Sequence, residues 1–146
     1  MPNKVSTVLE RKGHSVVTVA PHDTIDTVVG VLTRNRIGAA PVLDRDDRLV
    51  GIISERDVLR GTAEHGGRVL ALRVEQLMTR EVKTCSLDDQ IVALMETMTL
   101  QRIRHLPVVR NGVLLGIVSI GDVVKQRLEE AQSELEALRS YIASAS

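Results

Sequence analysis

Phenylalanine and tryptophan are absent from this chain, and Tyr141 is its one tyrosine. The core must therefore be built from Val, Ile, Leu, Met and Ala, and any planar ligand would lie between aliphatic side chains. Sequence-general binding of single-stranded nucleic acid uses aromatic platforms, so that role is excluded. A charge surplus is missing too: 19 Lys and Arg balance 19 Asp and Glu. Duplex-binding proteins neutralise phosphates with excess basic residues, and there is no such excess here. Cysteine occurs once, as Cys85, which rules out an intrachain disulfide and a cysteine-built zinc site. No stretch approaches the roughly 20 apolar residues that span a bilayer. Met1–Gly13 is amphipathic and lacks a signal-peptide apolar run. The expectation is a cytoplasmic protein with neither nucleic acid nor membrane among its partners.

What is present is a repeat. A unit of roughly 60 residues buries little surface and is marginal alone, so 146 residues suit two such units sharing a core. Thr18, Asp23 and Ile25 recur as Thr84, Asp89 and Ile91. Ile37-Gly38-Ala39-Ala40-Pro41-Val42 faces Ile103-Arg104-His105-Leu106-Pro107-Val108, and Gly51-Ile52-Ile53-Ser54-Glu55-Arg56-Asp57-Val58 faces Gly116-Ile117-Val118-Ser119-Ile120-Gly121-Asp122-Val123. Three blocks in matching order indicate duplication. The chain divides into residues 1–65, an N-terminal helix and the first unit, and residues 66–146, a linker helix, the second unit and a C-terminal helix.

Each copy has the same local pattern. Val16–Ala20 and Val82–Cys85 are short strand candidates. Ile25, Val28, Val29 and Leu32 fall on one helical face, as do Ile91, Leu94, Met95 and Met98, with Asp23 and Ser86 as candidate N-caps. A hairpin follows: Ala40–Leu43 with Leu49–Ser54, then Leu106–Arg110 with Val113–Ser119 around Asn111-Gly112, a strong two-residue turn signal. Val113–Val118 is nearly all apolar, which predicts cover on both faces. Pro41 and Pro107 cannot donate to a ladder and belong at strand starts or edges. A helix begins at Ser54 and at Ser119. The fold class is α/β (α+β), two tandem β-α-β-β-α units. Gly66-Gly67 marks a loop, and Val69–Leu77 is a short linker helix. The last helix runs to about Ala143. Its residues Val124, Leu128, Ala131, Leu135, Leu138 and Ile142 form a narrow a/d stripe, which either packs on its own domain or seals a dimer.

The two Ser-x-x-Asp elements, Ser54 with Asp57 and Ser119 with Asp122, have two readings. One is a capping box at a helix start. The other is a nucleotide grip: a helix N-terminus suits phosphate, a Ser hydroxyl adds a donor, and an Asp one turn in accepts from two ribose hydroxyls.

Gly51–Asp57 and Gly116–Asp122 resemble the signature of CBS domains (cystathionine β-synthase domains), and Leu106–Val109 is similar to the same family's second strand. The resemblance covers about Val16–Arg60 and Val82–Lys125. It implies a tandem pair, or Bateman module, packed about a pseudo-twofold and usually dimerised as a flat disc. It also implies an adenosine ligand such as AMP, ADP, ATP, NAD(H) or S-adenosylmethionine in the cleft between the units. Carried over by position, Asp57 and Asp122 hold ribose hydroxyls, and Ser54 and Ser119 meet phosphate or ribose oxygens. Thr18, Ala39, Ala40 and Pro41, with Thr84, His105, Leu106 and Pro107, line the base pockets. The copies differ: His105-Leu106 stands where Ala39-Ala40 does, and Gly121 where Arg56 does. The two sites are therefore expected to be unequal, with His105 or the forked Arg56 guanidinium meeting phosphate. Arg102 and Arg104 are further phosphate candidates, or else part of a solvated helix end.

No nucleophile–base pair, paired carboxylates or metal-ligand spacing stands out. His14, His22, His65 and His105 do not pair, Cys85 suits a small buried hydrophobe, and there is no P-loop or dinucleotide fingerprint. The expectation is a non-enzyme without catalytic cofactor or metal: a regulatory sensor of adenine nucleotide acting as a homodimer or on a separate effector protein. The alternative is a homodimeric scaffold with degenerate sites.

Overall fold

In the computed structural model, which describes residues 3–145, the sequence repeat recurs as one local arrangement built twice. Residues 1, 2 and 146, the first two of them within the amphipathic N-terminal stretch, lie outside the described residues. The chain forms two compact units. The first-copy unit holds Ser15–Thr84 and Val109–Leu115. The second-copy unit holds the segment ending at His14, Cys85–Val108, and the chain from Gly116 onward.

In the first-copy unit, helix α2 (Ile25–Asn35) leads to strands β1 (Ala39–Leu43) and β2 (Leu49–Ser54) and then helix α3 (Glu55–His65). The strands pair antiparallel, from Ala39 opposite Ser54 to Val42 opposite Gly51, with a bulge between Val42 and Leu43. Ile25, Val28 and Leu32 pack against Val19, Ala40, Val42, Ile53, Val69 and Val74. Full burial of one such aliphatic side chain contributes about 1.5–3 kcal/mol. Val29, expected on the buried face, is 38% exposed; a stripe at i, i+3 and i+7 suffices against a sheet of two strands. The N-cap of α2 is Thr24, whose hydroxyl accepts from the Thr27 amide. Asp23, the expected cap, instead closes a turn by accepting from the Ala20 amide at 2.8 Å.

The expected strand Val16–Ala20 shrinks to one parallel bridge between Val19 and Val42. The Val19 amide donates to the Pro41 carbonyl, and the Leu43 amide to the Val19 carbonyl. Pro41 lies within β1 rather than at its start. Its partner Ile52 directs both its amide and its carbonyl to Thr79. Pro41 therefore faces β2 across a non-hydrogen-bonded pair, where the missing N–H costs no ladder bond. The expected linker helix Val69–Leu77 is a 3₁₀ stretch (Gly66–Ala71) and a single turn, α4 (Val74–Leu77). The break at Leu72-Arg73 lets the Leu72 carbonyl accept from the Ile25 amide, while Val74 and Glu75 donate to Asp23 and Pro21.

The second-copy unit repeats this clamp with a distant partner. Helix α1 (Val5–Lys12) has no side-chain cap. Its Val5 and Ser6 amides donate to the Asp89 and Leu87 carbonyls, and the Ile91 amide donates to the Asn3 carbonyl. Val5, Val8 and Leu9 are buried. The leading segment of each sequence copy thus packs with the other copy's body, so the compact units do not follow the chain-order division at residues 65/66.

Helix α5 (Ile91–Gln101) buries Ile91, Leu94 and Met98 and half-buries Met95. Its N-cap is Gln90 rather than Ser86, because Asp89 accepts from the Ser86 amide, as Asp23 does from Ala20. Strand Val82–Cys85 is again one bridge, Cys85 to Val108. Strands β3 (His105–Arg110) and β4 (Val113–Ser119) form the second two-stranded sheet, turning at Asn111 and Gly112, both at positive φ. In β4 Gly116 and Val118 are buried and Val113 is exposed. The face with Gly116 and Val118 is thus the better covered, and the other, with Leu115 and Ile117, is half-buried. Helix α6 (Ile120–Ala145) begins as expected, ends two residues later than expected, and is exposed throughout from Ala131. Its a/d stripe does not pack on its own unit.

Candidate functional site

Both Ser-x-x-Asp elements stand at a strand-to-helix junction. At the first, Ser54 ends β2 and caps α3. Its hydroxyl accepts from the Asp57 amide at 3.3 Å, and its own amide donates to Asp57 Oδ2 at 2.9 Å. This is a full capping box. The Ser54 hydroxyl also reaches Oδ2 at 3.1 Å. The other oxygen, Oδ1, accepts from Thr79 Oγ1 at 3.2 Å and Arg60 Nη1 at 3.3 Å. Asp57 is 3% exposed, so a buried carboxylate here is satisfied on both oxygens.

At the second junction the Ser119 amide donates to Asp122 Oδ2 at 2.9 Å, and Ser119 Oγ accepts from the Asp122 amide at 3.1 Å. The further partner is Lys12 of α1, whose ammonium meets Oδ2 at 2.6 Å and also donates to the Ile117 carbonyl. Burial alone would raise the Asp122 carboxyl. The Lys12 and Ser119 hydrogen bonds and the Lys12 charge outweigh it and hold the carboxyl below its ordinary range.

The glycine that opens each block has a role in positioning the junction. A Cβ on Gly51 would lie 2.6 Å from Met78 Sδ and 3.0 Å from the Thr79 carbonyl oxygen; one on Gly116 would lie 2.9 Å from Leu9 Cδ2. Each glycine therefore admits the leading segment that supplies Thr79 or Lys12.

The residues before each proline reach the same junctions. The Glu55 amide donates to the Gly38 carbonyl, and the Ile120 amide to the Arg104 carbonyl. Ala39 stands opposite Ser54 across the hairpin. Ala39, Ala40, Pro41, Leu106 and Pro107 are buried, and Ala40 belongs to the first-copy core. His105 is half-buried, while Arg56 and Arg104 are exposed. Thr18 and Thr84 are exposed one residue before the bridging Val19 and Cys85. Arg36 and Arg102 end α2 and α5 in the left-handed conformation, at φ 53° and 54°. Thr79, Arg60 and Lys12 were not anticipated. Only Arg60, three residues after Asp57, lay within reach of a local pattern.

An open hollow of about 580 Å³ adjoins the first junction, lined by Val29, Leu32, Ile37 and Val58 with Thr33, Arg36, Gly38 and Glu55. Its size is within the range of small-molecule sites, and its walls combine aliphatic side chains with Thr33, Arg36 and Glu55. Cys85 is buried, and burial, followed by the Asp89 charge, pushes its thiol up to about 12, which suits a packing residue. Among the described residues no cluster of His, Cys, Asp and Glu could hold a metal ion, and no helix is long and apolar enough to cross a membrane.

Comparison with known proteins bears on both junctions. The CBS domain model matches residues 8–64 and 74–129. The mitochondrial CBS domain-containing protein CBSX3 of Arabidopsis thaliana is 35% identical, across 94% of this chain and 71% of that protein. The crystal structure of the CBS-domain protein ATU1752 of Agrobacterium tumefaciens superposes with a TM-score of 0.84 at 44% identity, covering 87% of this chain and 95% of that one. MJ1225 of Methanocaldococcus jannaschii, a proposed archaeal homologue of g-AMPK, superposes with a TM-score of 0.73 at 27% identity, covering 84% of this chain and 47% of that one.

Proposed function

Because the chain belongs to the CBS domain family and carries two tandem copies, we propose that it is a regulatory, non-catalytic module that binds an adenine nucleotide (AMP, ADP, ATP or NAD(H)) at its strand-to-helix junctions. The observation that carries this reading is the repetition of one construction: an Asp one turn into a helix, tied to a Ser cap, beside the carbonyl that receives the helix's first amide. Capping alone needs neither the distant partner on each Asp, Thr79 or Lys12, nor the paired glycines. The likeness to a proposed homologue of g-AMPK supports the regulatory side.

In the proposed complex ribose hydroxyls donate to Asp57 and Asp122, taking over from Thr79 and Arg60 at one site and from Lys12 at the other. The released cations then lie near the phosphates. The helix N-termini add donors and partial positive charge. The base rests on aliphatic residues near Ala39 or His105. Arg56 at the first site and His105 at the second make the two sites unequal within one ligand class. The output passes to a separate effector protein.

A thermal-shift series with AMP, ADP, ATP and NAD(H) tests this. Ligand at 100 times its dissociation constant stabilises by about 2.7 kcal/mol. Losing a charged hydrogen-bond acceptor costs about 1.5–3 kcal/mol, so Asp122→Ala weakens binding roughly 10- to 150-fold. Unchanged affinity in both Asp57→Ala and Asp122→Ala removes the ribose assignment. No shift with any adenosine compound leaves the second reading, a scaffold with degenerate sites, which the exposed stripe of α6 favours.

A further inference from the structure

Among the described residues, helix α6 packs one face on its own unit and leaves its apolar stripe exposed. Val123 and Gln126 are buried, Gln126 accepts from Arg11 at 3.1 Å, and Glu129 pairs with Arg11. Leu128, Leu135, Leu138 and Ile142 are 47–60% exposed, with Val124 also exposed. At 3.6 residues per turn the apolar stripe is centred roughly 140° around the helix from the packed face. It is about 27 Å long from Val124 to Ile142. Leu128, Leu135 and Ile142 take a positions, and Val124, Ala131 and Leu138 take d positions.

The flanking charges select the occupant and its direction. Positions e are Lys125, Gln132 and Arg139; positions g are Arg127, Glu134 and Tyr141. In a parallel pair each g residue meets the e residue of the other helix five positions on. Glu134 of one copy then meets Arg139 of the other, twice by symmetry. Arg127, already paired with Glu130 at 2.9 Å, meets the neutral Gln132. An antiparallel pair in full overlap sets Glu134 against Glu134 and Lys125 against Arg139, both repulsive. The geometry points to the α6 helix of a second copy of this chain, parallel and in register, as the partner of the stripe. The small Ala131 at a central d position lets the two backbones approach.

Sedimentation velocity of the full chain tests this first: a dimer is expected, and a monomer at all accessible concentrations overturns the inference. Leu135 is exposed, so Leu135→Asp leaves the fold intact by circular dichroism while raising the dimer dissociation constant at least about 100-fold; an unweakened dimer overturns it. Glu134→Arg and Arg139→Glu each weaken the dimer several-fold, and mixing the two variants restores it, whereas no recovery on mixing overturns the pairing. For direction, Leu128→Cys in a Cys85→Ala background forms a disulfide dimer by itself. Cross-linking only between Leu128→Cys and Leu138→Cys chains overturns the parallel arrangement. None of these readouts depends on nucleotide binding.

Discussion

Asp57 and Asp122 occupy equivalent places in the repeat but differ in chemistry. Asp57 is closed in by hydrogen bonds to both oxygens. Asp122 is about a quarter exposed and answers to one ammonium, Lys12. Its carboxyl sits below the ordinary value of 3.8. A carboxylate with a depressed folded-state pKa contributes stability that is present above the unfolded pKa of about 4 and is lost as pH falls through the folded value. Lys12→Met leaves burial as the dominant influence and brings the carboxyl back up. The expected outcome is a loss of about 1 kcal/mol near neutral pH, shrinking toward zero as Asp122 is protonated in both proteins. Urea melts of parent and variant at neutral and acidic pH check this, and a difference independent of pH would count against it. The Ser-x-x-Asp pairs were legible in sequence because their geometry is local. Thr79 and Lys12 were not, because they lie 22 and 110 positions from the carboxylates they meet.

Among the elements, long helices with a clear apolar stripe, α2 and α5, were readable, and so was the Asn111-Gly112 turn. The short strands before them were not. Short stretches such as Val16–Ala20 and Val82–Cys85 look like strands, yet among the described residues Val19 and Cys85 each make one bridge. The caps were misplaced because Asp23 and Asp89 spend their carboxylates on turns, a use that composition does not separate from capping. The paired glycines give a prediction at this scale. In Gly51→Ala the new methyl meets the Thr79 backbone, which is itself bonded in both directions to Ile52 and cannot retreat. In Gly116→Ala it meets the Leu9 side chain, which shifts more readily than a backbone hydrogen-bonded in both directions. Overpacking costs about 1–3 kcal/mol, so Gly51→Ala falls toward the upper end and Gly116→Ala at or below the lower end. Chemical denaturation of both variants checks the order, and equal losses would contradict it.

For the whole molecule, a division by chain order misses what the hydrogen bonds do. The amides of Val74 and Glu75 go to the turn of the first copy, and those of Val5 and Ser6 to the turn of the second. Duplication was visible in the sequence; the exchange of leading segments was not, since a repeat says which residues are alike and not which ones meet. A chain lacking residues 1–13 should therefore lose stability in the second-copy unit alone. Hydrogen exchange is expected to speed up in Gly116–Ser119 of β4, the Leu87–Ile91 turn and the start of α6, while Ser15–Thr84 keeps its protection. Uniform loss across both copies would sink this account.

The clamp on α1 also bears on the order in which the protein is made. Val5, Val8 and Leu9 leave the ribosome before any residue that buries them, and the carbonyl that receives the Ser6 amide belongs to Leu87. At 5–20 residues per second that gap lasts on the order of ten seconds. Through that interval the nascent chain carries an unpaired apolar ridge, and the second-copy unit closes only after Leu87 and the residues that follow it have emerged. A helix of eight residues thus waits, unpartnered, for a segment made about 80 residues later.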